Sequence, residues 1–284
     1  MTLDIPPAWA ELADRLAPSA WGRLIVLGGT DVGKSSFLRF LARVLVRRGQ
    51  TVALLDTDLG QKMVGPPACV VLAHFTPDGE LRTERICFVG ETSPAANMAG
   101  IIAATARLAA AAAACVDRLL VNTSGLVAGP GVALKRWKLE ALSPDQIVAL
   151  ARADELAPIV GPLVASTVHH LQPSLAARRK SSSAREENRR AALIAALGQY
   201  RPLSLPFLRI EDLRRSTVPL AALRLCGLTD DLGNDVGLGL VRWPGHEERQ
   251  QVWTGLAPTN LVRLRLGIPL ADFGDVPGAF NHAY

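Results

Sequence analysis

The chain has 284 residues, 49% of them hydrophobic and 20% charged, with a formal net charge of +5. That balance supports a sizeable buried core and excludes a disordered chain. Aromatics make up only 5%, so the core is built mainly from Leu, Val and Ala, while the modest basic excess suits a polyanionic partner without identifying one.

Residues Pro7 to Leu16 read as a short leading helix, and the apolar run Arg23–Leu27, ending in glycines, reads as a buried parallel strand. A helix is predicted from Lys34 to about Arg48, with Phe37, Leu38, Leu41 and Leu45 at helical spacing and Gly49 as its stop. Val52–Leu55 is a second buried strand, completing a βαβ unit. Apolar runs follow at Cys69–Ala73 and Ile86–Val89, then a long Ala-rich helix from about Asn97, and strands at Leu119–Val121 and Gln146–Leu150. This alternation predicts an α/β fold with a doubly wound, mostly parallel sheet. The stretch Leu175–Arg190 has basic residues around a serine run and predicts a mobile loop entering a helix near Arg185. After Tyr200, prolines 202, 206 and 219 and short β-like runs predict a small β-rich C-terminal domain, so that the core covers 1–203 and the second domain 204–284.

Residues 28–35 spell Gly28-Gly29-Thr30-Asp31-Val32-Gly33-Lys34-Ser35, a GxxxxGK[ST] loop between a predicted strand and a predicted helix. The glycines let successive N–H groups turn toward phosphate oxygens, and the helix start adds its positive dipole end. Lys34 is expected to reach the β- and γ-phosphates of a nucleoside triphosphate, and Ser35 to ligate Mg²⁺, in a P-loop NTPase core. Ser36 follows in the same helix start. The second strand ends in Asp56-Thr57-Asp58-Leu59-Gly60-Gln61. Carboxylates at the carboxyl end of a strand beside the phosphate loop suit metal binding, and Asp56 and Asp58 can divide metal and acceptor duties; a turn cap is the simpler role for Asp58.

Several blocks, in order, carry a resemblance. They are Thr30–Ser35 (TDVGKS), Asp58–Gln61 (DxGQ), Thr92-Ser93-Pro94-Ala95-Ala96-Asn97, and Asn122-Thr123-Ser124-Gly125 followed by Gly129 and Gly131. Ser143-Pro144 then leads into an apolar strand. Over about Gly22 to Gly267 the chain resembles the polynucleotide 5′-hydroxyl kinases, which include archaeal RNA kinases and eukaryotic kinases of tRNA, mRNA 3′-end and ribosomal RNA processing. The resemblance implies ATP (or GTP or another NTP) with Mg²⁺, and transfer of the γ-phosphate to the 5′-OH end of single-stranded RNA or DNA. It implies that Asp58 orients the hydroxyl, that Thr92 and Ser93 clasp the phosphate loop and position Lys34, and that Arg185, Arg189 and Arg190 close over the phosphates from a lid near 178–195. It places Gln61, Lys62, Asn122, Gly125, Leu126 and Lys135 on the acceptor side.

Two departures stand out. The family usually carries tryptophan after the NT-x-G block, where this chain has Leu126, so base stacking must come from elsewhere; Trp137 is either a substitute or a core residue. The eukaryotic members carry a domain before the kinase core, whose contacts are expected to be absent or replaced. The basic residues Lys62, Lys135, Arg136, Lys138, Arg178, Arg179 and Lys180 are each either a substrate contact or an ordinary surface charge. The other reading is an ATP-bound scaffold or switch in a nucleic-acid-processing assembly; a small-molecule kinase or ligase is disfavoured by the DxGQ and NT-x-G blocks.

The four cysteines, Cys69, Cys87, Cys115 and Cys226, form no CxxC pair and are expected to be reduced core thiols of a cytoplasmic protein. The most apolar stretch, Met98–Val116, is interrupted by Arg107 and predicts a buried helix rather than a span of about 20 apolar residues. No signal core is evident, so no membrane partner is expected. His169-His170 lacks a third ligand for a metal site.

Overall fold

The computed structural model describes residues 4–161, 167–198, 200–205, 208–213, 222–243, 250–256 and 260–270. In chain order the first half contains α1 (Pro7–Leu16), β1 (Arg23–Leu27), α2 (Lys34–Arg47), β2 (Val52–Asp56), β3 (Cys69–Phe75), β4 (Leu81–Phe88), α3 (Met98–Ala112), β5 (Arg118–Asn122) and α4 (Pro130–Leu142). The second half contains β6 (Gln146–Leu150), α5 (Ala157–Val160), β7 (Thr167–Leu171), α6 (Ser182–Leu197), β8 (Arg201–Leu205), β9 (Arg209–Asp212), β10 (Ala222–Asp230), β11 (Asp235–Trp243), β12 (Gln250–Thr254) and β13 (Leu261–Pro269).

The core is a parallel sheet in the order β7-β6-β1-β5-β2. β1, which feeds the phosphate loop, lies between β6 and β5, with Ile25 opposite both Ile147 and Val121. Its strands read as continuous apolar runs because both faces are covered. On β2, Ala53 and Leu55 pack with Ile101, Leu108 and Leu134 from α3 and α4. Val52 and Leu54 point the other way, onto Phe37, Leu38 and Leu41 of α2 and Leu12 of α1. The period of two along the strand thus loads two separate cores from one short sequence.

The apolar runs after β2 are not a continuation of the parallel core. β3 pairs antiparallel with β2, and β4 returns antiparallel along β3. β4 then receives β11 through Asp235 opposite Ile86, which joins the β-rich C-terminal region to the same sheet. Asp235 is the rivet: its Oδ2 accepts from the Phe88 amide at 2.8 Å and from Arg265 Nη1 at 3.0 Å. β10 runs antiparallel between β11 and β13, and β8 pairs with β12. The β-rich pairing therefore begins with Arg201, inside the stretch expected to end the core. Pro206 and Pro219 lie outside the described residues.

α6 starts earlier than expected, at Ser182, because Ser181 caps it: its Oγ accepts from the Ala184 amide at 3.0 Å. Of the four expected core thiols, Cys69, Cys87 and Cys226 are buried, whereas Cys115 is exposed in the turn that follows α3. All four are free thiols. Among the described residues no helix is long and apolar enough to cross a membrane.

Candidate active site

The phosphate loop turns on two left-handed residues, Asp31 (φ 57°) and Gly33 (φ 97°). Glycine is needed at 33 for a second reason: a Cβ there would stand 3.0 Å from the ring of Trp9, which α1 tucks beneath the loop. Trp9 is fully buried, stacks edge-on against Phe37 and donates Nε1 to the Gln172 carbonyl at 3.0 Å. Lys34 opens α2 and donates Nζ to the Gly28 and Gly29 carbonyls at 3.0 and 2.5 Å. Burial pulls its ammonium down to about 8, against the opposing influence of the Asp58 and Asp31 carboxylates. Gly28 and Val32 are packed behind the loop, while Thr30, Asp31, Gly33, Lys34, Ser35 and Ser36 face the cleft.

The two carboxylates at the end of β2 have different surroundings. Asp56 is fully buried and engaged on both oxygens. Oδ1 accepts from Asn122 Nδ2 at 2.9 Å and the Asp58 amide at 3.2 Å; Oδ2 accepts from the Met63 amide at 2.7 Å and lies 3.4 Å from Lys62 Nζ. The sequence suggests a metal at Asp56; the structure instead uses this carboxylate to fold the loop from Asp58 to Val64. Lys62, expected to meet substrate, lines the cleft, and its ammonium serves the same loop. Its side chain is 3% exposed, and its Nζ also donates to the Asp56 and Cys69 carbonyls at 3.0 and 3.1 Å. Asp58 is half-buried and faces the cleft. Among the described residues the hydrogen bonds to its carboxylate all fall on Oδ1, from the Gly60 and Gln61 amides, both at 3.0 Å. Oδ1 is the turn cap, and Oδ2 is left for other chemistry.

The block after β5 crosses onto the phosphate loop. Thr123 Oγ1 donates to the Val26 carbonyl at 2.8 Å, tying β5 to β1. Gly125 lies so close to Thr30 that a Cβ would meet Thr30 Oγ1 at 2.4 Å and Thr30 Cα at 2.7 Å. Asn122 is oriented by Asp56, a carboxylate that can only accept, so its amide nitrogen faces Asp56 and its Oδ1 faces away, buried and without a hydrogen-bond partner among the described residues. Leu126 lines the cleft, and Trp137 is 45% exposed on α4, neither core nor cleft. Lys135 and Lys138, each expected as either a substrate contact or an ordinary surface charge, are both fully buried. Lys135 Nζ donates to the Ser124 carbonyl and Oγ at 2.6 and 3.2 Å. Lys138 Nζ donates to Thr57 Oγ1 at 2.6 Å and the Thr57 carbonyl at 3.3 Å. Burial draws Lys138 down to about 7 and Lys135 well below the usual lysine range.

The first turn of α6 meets both loops at Arg185. Arg185 Nη2 donates to Asp31 Oδ2 at 2.6 Å, an oxygen that also accepts from the Lys180 amide at 3.0 Å. Burial opposes ionisation of Asp31, but these two donors outweigh it and hold its carboxyl below the usual range. Gln61 Nε2 donates to the Arg185 carbonyl at 3.0 Å, so the DxGQ loop grips the lid backbone. The Arg185 Nε is buried with no partner among the described residues. Arg189 lies beside Gly60, its Cδ 4.0 Å from where a Cβ would sit, and the Thr92 carbonyl is 3.2 Å from the same point. Arg190 pairs with Glu187 at 2.5 Å along the helix, and Ser93 is exposed outside the cleft.

These elements enclose a cleft of about 940 Å³, running from Lys34 and Ser35 past Asp58 and Thr92 to Gly125 and Leu126. Arg39 and Trp9 are among the residues of this cleft that sequence reasoning missed. Arg39, one turn beyond Ser35 on α2, lines it and donates to the Met63 carbonyl at 3.3 Å; its signal was the i+4 spacing from the phosphate-loop serine. Trp9 had no signal beyond its place in an amphipathic helix. The residues fit a triphosphate and a hard divalent cation: a glycine cradle, a lysine and Arg185 on one side, and the Ser35 hydroxyl as an oxygen donor. His169 donates or accepts at Gln146 Oε1 (2.7 Å), and among the described residues no cluster of three or more His, Cys, Asp or Glu side chains stands ready for a metal.

Comparison with known proteins bears on the family and the fold. The family model described as mRNA cleavage and polyadenylation factor CLP1 P-loop matches residues 28–194, more than half of the chain. A polyribonucleotide 5′-hydroxyl-kinase of Pyrococcus furiosus is 36% identical over 173 residues, covering 59% of this chain and 49% of that protein. One from Methanocaldococcus jannaschii is 39% identical over 144 residues, covering 49% of this chain and 40% of that protein. The chain thus spans less than half the length of these curated relatives. The fold is also that of the solved wild-type Clp1p–Pcf11p complex, with a TM-score of 0.70 at 11% identity, over 91% of this chain and 78% of that one. By its phosphate loop and the blocks that surround it, the chain belongs to the CLP1 P-loop family.

Proposed function

We propose that the protein is a polynucleotide 5′-hydroxyl kinase, transferring the γ-phosphate of ATP, or of another nucleoside triphosphate such as GTP, to the 5′-OH end of RNA or DNA. The observation that carries this reading is Asp58: a carboxylate capped on one oxygen, with the other left for an acceptor, in the same cleft as Lys34 and Ser35. A hydrolase would need only to place water. Here the cleft extends past Asp58 to Gly125 and Leu126, room for the end of a strand. The names of the relatives support the same reading.

The transfer needs placement and charge neutralisation more than covalent help, because its transition state is loose. The phosphate-loop amides and Lys34 hold the β- and γ-phosphoryl oxygens. Mg²⁺, when bound, would be held by the Ser35 hydroxyl and would supply charge neutralisation. Asp58 Oδ2 accepts the hydrogen of the attacking 5′-hydroxyl and fixes its direction of approach. Arg185, released from Asp31, and Arg189 bring guanidinium charge onto the equatorial oxygens, where it counts most in the transition state. Asn122 and Thr92 line the same cleft.

The test is transfer of labelled γ-phosphate from ATP, with Mg²⁺, to matched 5′-OH and 5′-phosphate oligonucleotides of RNA and DNA. Label confined to 5′-OH ends is expected. ATP binding with no label on any oligonucleotide would point instead to a nucleotide-bound scaffold.

A further inference from the structure

α4 carries an anomaly for a helix packed against a sheet. Leu134, Leu139 and Leu142 occupy its buried face as expected, but Lys135 and Lys138 share that face and are fully buried. A leucine or methionine would fill the same space without desolvating an amine. Neither lysine has access to a substrate, so the cost must be offset within the protein. The hydrogen bonds show where. Lys138 Nζ reaches Thr57, the residue before Asp58, at its Oγ1 (2.6 Å) and carbonyl (3.3 Å). Lys135 Nζ reaches Ser124, the residue before Gly125, at its carbonyl (2.6 Å) and Oγ (3.2 Å).

Thr57 and Ser124 follow adjacent parallel strands, β2 and β5. The two loops are already stitched together at Asn122, whose carbonyl accepts from Thr57 Oγ1 at 2.7 Å and from the Thr57 amide at 3.1 Å. One loop presents Asp58 to the cleft, and the other rests on Thr30 through Gly125. Positions i and i+3 of a single rigid helix therefore hold the acceptor-orienting carboxylate and the phosphate loop's neighbour at once.

We propose that Lys135 and Lys138 form a two-pronged strut that fixes the position of Asp58 relative to the phosphate loop, making them positioning residues for phosphoryl transfer. The transfer part rests on the kinase reading above; the strut itself does not. A strut acts on geometry between reactants, so its loss lowers turnover while leaving nucleotide affinity in place.

The experiment compares wild type with Lys138→Met and Lys135→Met, with Glu140→Gln on the exposed side of α4 as control. It reads kcat and KM for a 5′-OH oligonucleotide, Kd for ATP, and amide hydrogen exchange over residues 57–64 and 123–126. Each lysine variant should lose about 10- to 100-fold in kcat, the scale of a small misplacement of reacting groups, with ATP Kd changed by less than about threefold. Exchange should rise at the Gly60 and Gln61 amides in Lys138→Met, and near Ser124 in Lys135→Met. If either variant does not fold, Thr57→Val, which keeps the shape and removes the hydroxyl, should show the same pattern more weakly. Unchanged kcat with unchanged exchange overturns the strut. So does a loss of ATP binding in step with kcat, since that describes a general structural role. If wild type transfers no phosphate, the kinase reading fails, yet the exchange data still decide whether the strut exists.

Discussion

Asp31 and Arg185 are joined at 2.6 Å across 154 residues of sequence, and this pair fastens the expected lid, at the start of α6, to the phosphate loop. The same Asp31 oxygen also accepts the Lys180 amide, so one carboxylate holds both the approach to α6 and a charged side chain of its first turns. A triphosphate in the cleft offers Arg185 a more highly charged partner than Asp31 does, which makes the pair a latch rather than a permanent bond.

Removing the latch should loosen the lid before it harms the core. In Asp31→Ala, amide exchange over residues 180–185 should rise by about tenfold or more, with little change in β1 or α2, since local opening depends on local contacts. Acidification should do the same in wild type. A carboxyl lowered by its partners contributes above its unfolded value and loses that contribution as pH falls through the lowered folded value. Lid protection that does not respond to the substitution would mean that Arg185 is held elsewhere.

Gly125 should tolerate no side chain. In Gly125→Ala the new Cβ would sit 2.4 Å from Thr30 Oγ1 and 2.7 Å from backbone atoms of Thr30, so the phosphate loop itself must move. Overpacking of this kind costs about 1–3 kcal/mol, which on the scale of about 1.4 kcal/mol per tenfold weakens ATP binding by roughly 5- to 100-fold. Titration calorimetry checks this, with circular dichroism to confirm that the fold is retained.

Leu126 lines the cleft where an aromatic face would meet a base. Leu126→Trp should lower KM for a 5′-OH oligonucleotide, by about fivefold or more if stacking is gained, because base–aromatic contacts are worth roughly 1–3 kcal/mol. KM for ATP should stay within about twofold, since the added ring lies on the acceptor side. An unchanged oligonucleotide KM would show that the first base does not pass Leu126.

Much of this fold was legible because its signals are local. Buried parallel strands read as apolar runs, and the phosphate loop follows from the peptide geometry that its glycines permit. Asp58, Gly125 and Arg185 were found in sequence and are brought to one cleft in the structure. What sequence could not convey was direction and burial. Nothing in the runs 69–73 and 86–89 distinguishes an antiparallel hairpin from further parallel strands. Lys62, Lys135 and Lys138 look like surface cations because lysine usually is one, and only the packing of α4 and the Asp56 loop reveals them as internal donors. Asp56 and Asp58 are two residues apart and chemically identical; their hydrogen-bond partners, Asn122 and Met63 for one and the Gly60 and Gln61 amides for the other, separate the structural carboxylate from the one that faces the cleft.

The most direct measurement is single-turnover transfer of labelled γ-phosphate to a 5′-OH oligonucleotide by wild type and Asp58→Asn, with ATP affinity measured on the same samples. Asparagine keeps the Oδ1 cap to the Gly60 and Gln61 amides but gives up the carboxylate. If Asp58 orients the acceptor, ATP binding stays within about threefold of wild type and the transfer rate falls by about 100-fold or more, the scale of a lost acid–base group. Near-normal transfer by Asp58→Asn would contradict that role, and the group that orients the acceptor would have to be sought elsewhere in the cleft.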